Sequence, residues 1–164
     1  MRFFSALLLA LALSLSPASA HLRFQVFVTG AAVTTTSATA VNVTGLAMPA
    51  ISGVDMWFRC KLPVTSSLVT SRVRFDLSGP ASTAFRMAIE SYGATTTIKE
   101  FDIVTAVSTL SAVGNTPTTV TVTTLEGVLR PSAAGTYQVR LASETAGQTS
   151  TVEIGSVCEY SYER

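Results

Sequence analysis

From residue 56 onward, apolar and polar positions alternate with a period of two. In residues 56–62, Phe58, Cys60 and Leu62 fall on one side of an extended backbone, and Trp57, Arg59 and Lys61 on the other. In residues 71–77, Val73, Phe75 and Leu77 alternate with Arg72, Arg74 and Asp76. A helix would scatter those charges around its circumference, whereas a strand gathers them on one face, so Asp76 is expected to point outward with the two arginines. The same reading places Phe85, Met87 and Ile89 inside, against Arg86, Ala88 and Glu90 outside. Likewise Tyr137, Val139 and Leu141 oppose Gln138, Arg140 and Ala142. Residues 98–104, the β-branched run 119–125, a short piece holding Val152 and Ile154, and residues 157–162 read as further strands. Residues 24–28 and 38–43 are added near the start, and the Thr/Ser-rich stretch 34–39 reads as a loop or an edge strand.

Turn chemistry separates these pieces. Gly79-Pro80, Tyr92-Gly93, residues 114–117, residues 131–135, Ala146-Gly147 and Gly155-Ser156 all fall between strands. About nine or ten short strands at this spacing, with no amphipathic helix and no internal repeat, predict an all-β fold, an antiparallel β-sandwich of jelly-roll type.

Residues 1–20 stand apart. Arg2 precedes an apolar run over 6–15, and Pro17-Ala-Ser-Ala20 closes it with small residues at the spacing a signal peptidase reads. The run falls short of the roughly 20 apolar residues that span a bilayer. The expected organisation is therefore a signal peptide, 1–20, and one sandwich domain, 21–164, exported or carried on a particle. Lys and Arg number 11 against 10 for Asp and Glu, and loss of Arg2 with the leader balances them. A chain with no basic excess has no electrostatic basis for nucleic-acid binding or polybasic membrane attachment. Charged residues make up only 13% of the chain and hydrophobic ones 48%, which excludes an intrinsically disordered segment.

Candidate chemistry is sparse. Export permits a bridge between Cys60 and Cys158, although two buried thiols would fit the sequence as well. Cleavage after Ala20 would leave His21 as the mature N-terminus. A terminal histidine can chelate copper, but the chain holds 1 histidine, too few for a copper brace, so no metal and no cofactor are expected. The serines have no second histidine to act as a base, and no G-x-S-x-G elbow occurs. Asp76, Glu90, Glu100, Asp102, Glu126, Glu144, Glu153 and Glu159 are candidate acid–base carboxylates, but they read as solvated strand faces. Asn42-Val43-Thr44 forms an N-glycosylation sequon. Trp57, Tyr160 and Tyr162 are a candidate sugar-binding platform, with strand packing as the simpler account.

The C-terminal half has a more specific texture. Residues 125–144 run strand, Pro/Gly turn, strand, and are followed by Ile154-Gly-Ser-Val-Cys-Glu-Tyr160. Upstream stand Trp57-Phe-Arg-Cys-Lys-Leu-Pro63 and Phe75-Asp-Leu-Ser-Gly-Pro80. Together these resemble a β-sandwich domain of tailed-bacteriophage virion structural proteins, over residues 53–160. In that comparison Pro131 starts a turn, Gly135 supplies its positive φ, and Gly155 reverses the chain before the last strand. The resemblance implies a non-enzymatic particle or surface component that self-associates, with a trimer favoured, and that contacts a surface glycan or another surface protein. The alternative is a secreted carbohydrate-binding module or carbohydrate-active enzyme.

Overall fold

A computed structural model describes residues 23–28, 30–68, 70–92, 99–112 and 118–163. The expected leader, His21, Gly93 and the turn at 114–117 lie outside the described residues. Eleven strands are described: β1 (Arg23–Phe27), β2 (Val33–Thr35), β3 (Val41–Ala50), β4 (Asp55–Ser66), β5 (Val73–Ser78), β6 (Ser82–Tyr92), β7 (Lys99–Val104), β8 (Thr121–Pro131), β9 (Gly135–Ser143), β10 (Ser150–Val152) and β11 (Val157–Glu163). All their pairings are antiparallel. One sheet of eight strands runs β1-β11-β4-β8-β6-β7, with β10 joining β4 to the edge strand β2. The other sheet runs β3-β9-β5. The chain passes between the sheets at β2–β3, β3–β4, β4–β5, β5–β6, β8–β9 and β9–β10.

The alternation sets this arrangement. Met56, Phe58, Cys60, Leu62 and Val64 of β4 all point into the space between the sheets and are fully buried. Leu125 and Leu129 of β8 and Met87 and Ile89 of β6 extend the same layer. Facing them are Leu46 and Met48 of β3, Tyr137, Val139 and Leu141 of β9, and Val73, Phe75 and Leu77 of β5. Burying each such large side chain is worth about 1.5–3 kcal/mol, so the two inner faces hold each other. The Tyr137 phenol is pushed up by burial. Its hydroxyl donates to the Pro80 carbonyl at 3.1 Å and shares a hydrogen bond with Ser82, which fastens the β5–β6 turn to β9.

Several expectations are corrected. The strand expected at 38–43 begins at Val41 and continues to Ala50, and the Thr-rich stretch before it contributes β2 at an edge. Within that length the register of β3 on β9 shifts between Asn42 and Ala47, a bulge that takes in Gly45, whereas Pro49 pairs in register with Thr136. Gly45 takes φ +97°, and a Cβ there would lie 2.3 Å from the Phe27 carbonyl oxygen. The Gln138 side-chain amide donates to the carbonyls of Val43 (2.7 Å) and Leu46 (3.0 Å), replacing ladder bonds that the bulge removes. Gly135 does not adopt a positive φ; it is the first residue of β9 and leaves room for the Pro80 ring. Gly155 does adopt one, at +87°, in the reversal before β11. Ile154 lies outside β10, exposed in that reversal.

Asp76 alternates with Phe75 and Leu77 as expected, yet it is only 1% exposed. The segment after β7 crosses beside β5: Ser108 N–H donates to the Leu77 carbonyl and Ser111 N–H to the Phe75 carbonyl. Arg140 on β9 sits directly across from Asp76 and grips both carboxylate oxygens, with Nε to Oδ1 at 2.8 Å. A carboxylate that would otherwise face water is thus enclosed by its partner.

Gly127 lies inside β8, opposite Phe58 and Met87. A Cβ there would fall 2.3 Å from the Arg86 carbonyl oxygen and 2.9 Å from the Phe58 ring. Neither backbone nor buried ring can yield cheaply, so Gly127→Ala is expected to destabilise the fold by about 1–3 kcal/mol. Urea denaturation checks this; an unchanged midpoint contradicts the packing described.

Candidate functional site

The outer face of the large sheet is built from three cross-strand rows. The first reads Arg23, Ser161, Trp57, Val128, Arg86 across β1, β11, β4, β8 and β6. The second reads Gln25, Glu159, Arg59, Glu126, Ala88 and, on β7, Ile103. The third reads Phe27, Val157, Lys61, Thr124, Glu90 and Phe101.

The two halves of this face differ. Toward β1 it is laced together. Gln25 donates to Glu159 at 2.9 Å, Arg23 lies 3.9 Å from the same carboxylate, and Arg59 lies 3.4 Å from Glu126. The Arg23 guanidinium sits 5.4 Å from the centre of the Trp57 ring, and Ser161 is buried between them in the row. Toward β7 the face is open and apolar. Phe101 is 56% exposed, Val128 52% and Ile103 51%, with Val122 at 42% further along β8. Arg86 and Glu90 are exposed here and have no partner among the described residues. A shallow groove of about 260 Å³ runs between Trp57, Val128 and Ile103 over Gly127 and Ala88, with Arg86 and Glu126 on its rim. Contiguous exposed apolar surface of this kind marks contacts more often than it marks nothing.

The inner face carries the cysteines. Cys60 and Cys158 are direct cross-strand neighbours on β4 and β11, their Cα atoms 4.0 Å apart, and they form a disulfide. Both are fully buried.

The three residues of the candidate aromatic platform do not share one face. Trp57 pairs with Ser161 and points outward, whereas Tyr160 and Tyr162 pair with Phe58 and Met56 and belong to the opposite face. Tyr160 is buried and stacks on Phe24, ring centres 5.2 Å apart at 23°. Tyr162 meets Tyr160 edge-on at 5.8 Å, and its hydroxyl donates to the Pro49 carbonyl at 2.6 Å. Burial pushes both phenols up, with Tyr160 adding to the effect on Tyr162. The aromatic cluster that does form is Phe24, Tyr160 and Tyr162; Phe24 was not singled out because its strand carries little alternation of its own.

The candidate carboxylates are dispersed. Asp76 is enclosed by Arg140, Glu126 and Glu159 belong to the outer rows, and Glu144 pairs with Arg72 at 3.7 Å. Glu153 accepts from the Thr65 hydroxyl, and Asp102 accepts the backbone N–H groups of Ile103 and Ala112. At the end of β4, Asp55 takes a two-pronged contact from Arg130, whose guanidinium holds the carboxyl below the usual carboxylate range. Among the described residues no three of His, Cys, Asp and Glu gather where a metal ion could be held, and no helix is long and apolar enough to cross a membrane. Asn42 of the sequon is exposed on β3.

No family model and no curated protein matches this sequence. Two weak neighbours among solved structures are viral. "Structure of infectious bursal disease virus Gx strain" is similar at 13% identity over 88% of this chain, with a TM-score of 0.26. "Crystal structure of infectious bursal disease virus VP2 subviral particle" is similar at 13% identity over the same share, with a TM-score of 0.25. This chain spans 40% of the length of each of those chains. Likeness at that level carries no argument about function, and none of these findings supports the expected resemblance to a tailed-phage domain.

Proposed function

We propose that this chain is a non-enzymatic structural module: exported behind a leader at 1–20, folded as one sandwich domain over 21–164, and acting as a self-associating surface or virion-like component. The observation that carries this reading is the open half of the large sheet's outer face, where Phe101, Ile103 and Val128 all stand more than half exposed. Water contact with such a patch costs free energy that a partner surface removes. The buried disulfide fits a protein that matures in an oxidising compartment. A trimer is the number that the phage resemblance implies, and a surface glycan or another surface protein is the external partner it suggests. Light scattering on the purified chain lacking residues 1–20 tests the reading. A mass of two or more copies at micromolar concentration is expected; a single-copy mass throughout that range contradicts it.

A further inference from the structure

Resting on the self-association just proposed, we infer that two copies of this chain meet through the outer face of β6, β7 and β8. The two-fold axis lies in the plane of the interface, perpendicular to the strands, and passes over Ala88.

On the outer face of β6, Arg86, Ala88 and Glu90 follow one another, a cation and an anion without partners among the described residues on either side of a methyl group. Two sheets packed face to face lie about 10 Å apart, close enough for long side chains from the two faces to meet. A two-fold axis parallel to the strands would set Arg86 against the partner's Arg86. An axis perpendicular to them reverses the strand direction, so a position two residues before Ala88 meets the position two residues after it. Arg86 then faces the partner's Glu90, and Glu90 faces the partner's Arg86.

The neighbouring strands obey the same operation. Ile103 shares a row with Ala88 and meets the partner's Ile103, which places its exposed side chain at the apolar centre. Trp57 shares a row with Arg86, and Lys61 shares one with Glu90, so Trp57 faces the partner's Lys61. An ammonium over an indole face is itself attractive. Val128 faces the partner's Thr124. Glu126 meets the partner's Glu126 and Arg59 the partner's Arg59; each Arg59–Glu126 pair, 3.4 Å apart, is neutral, so this row adds no attraction to the contact. On β6 the charges reverse sign about Ala88, so this strand is complementary to itself, which is what an isologous contact requires and what a foreign partner does not. The groove at Trp57, Val128 and Ile103 lies within this footprint, so each copy receives part of the other there.

Sedimentation equilibrium on the chain lacking residues 1–20 tests the contact through charge exchange. Wild type is expected as a dimer, in place of the trimer that the phage resemblance implies. Arg86→Glu and Glu90→Arg, each alone, set like charges together and are expected to raise the dissociation constant roughly tenfold or more. The double variant R86E/E90R restores opposite charges and is expected to recover the dimer. Both positions are exposed, and unchanged far-ultraviolet circular dichroism confirms that the fold is retained. Single variants that dimerise as wild type does, or a double variant that fails to recover, overturn this contact. A wild-type trimer or larger oligomer indifferent to both single changes overturns it and leaves self-association standing. A monomeric wild type overturns both.

Discussion

Removing the Cys60–Cys158 bridge is expected to lower the free energy of unfolding by about 3–5 kcal/mol. The bond closes a loop with a sequence separation of 98, so without it the unfolded chain recovers the freedom of most of its length. The bridge also sits one pair in from the end of the β4–β11 ladder, fully buried, where no water reaches a replacement group. A Cys60→Ala/Cys158→Ala chain exchanges two well-packed sulfurs for methyl groups and adds a small packing loss to the loop effect. Urea denaturation of this variant against wild type, under non-reducing conditions, reads the difference. A loss below about 1 kcal/mol would mean that the bond only decorates a fold held by its core.

The Asp76–Arg140 pair is the second large effect. Arg140→Ala is expected to cost about 3–5 kcal/mol, because it strands a buried carboxylate with no replacement for a two-pronged partner. Asp76→Ala should cost less, since Arg140 retains access to solvent and can rehydrate its guanidinium. Replacing both by leucine removes the charge problem altogether and is expected to cost less than Arg140→Ala alone. Chemical denaturation of the three variants checks that order. Equal losses for both single variants, or a leucine double that loses more than Arg140→Ala, would contradict that order.

These two features mark how far the sequence was legible. Period-two alternation placed the strands and their inner faces, because a strand buried on one side must sort its residues by parity. The same parity also contained an answer about the aromatic platform. Trp57 is an odd number of residues from Cys60, and Tyr160 and Tyr162 are an even number from Cys158. Once the two cysteines are opposite each other, Trp57 must lie across the sheet from the tyrosines. Parity says which face a side chain takes, however, and not what covers that face. Asp76 was read as solvated because nothing local announces that the segment at 108–111 and Arg140 enclose it. The strand at β3 was read only as far as Val43, because the support that carries it across the bulge at Gly45 comes from Gln138, nearly a hundred positions away. The open face is the converse case: Val122, Val128, Ile103 and Phe101 occur in ordinary strand patterns, and only the pairing of β8, β6 and β7 brings Val128, Ile103 and Phe101 together.

Small-angle X-ray scattering from the chain lacking residues 1–20 tests the central claim, that this sandwich works by joining copies of itself. A single copy of this size has a radius of gyration of about 15 Å. The account predicts forward scattering of at least two copies, with a radius clearly above that value, persisting on dilution into the micromolar range. Forward scattering of one copy with a radius near 15 Å at every concentration would contradict it.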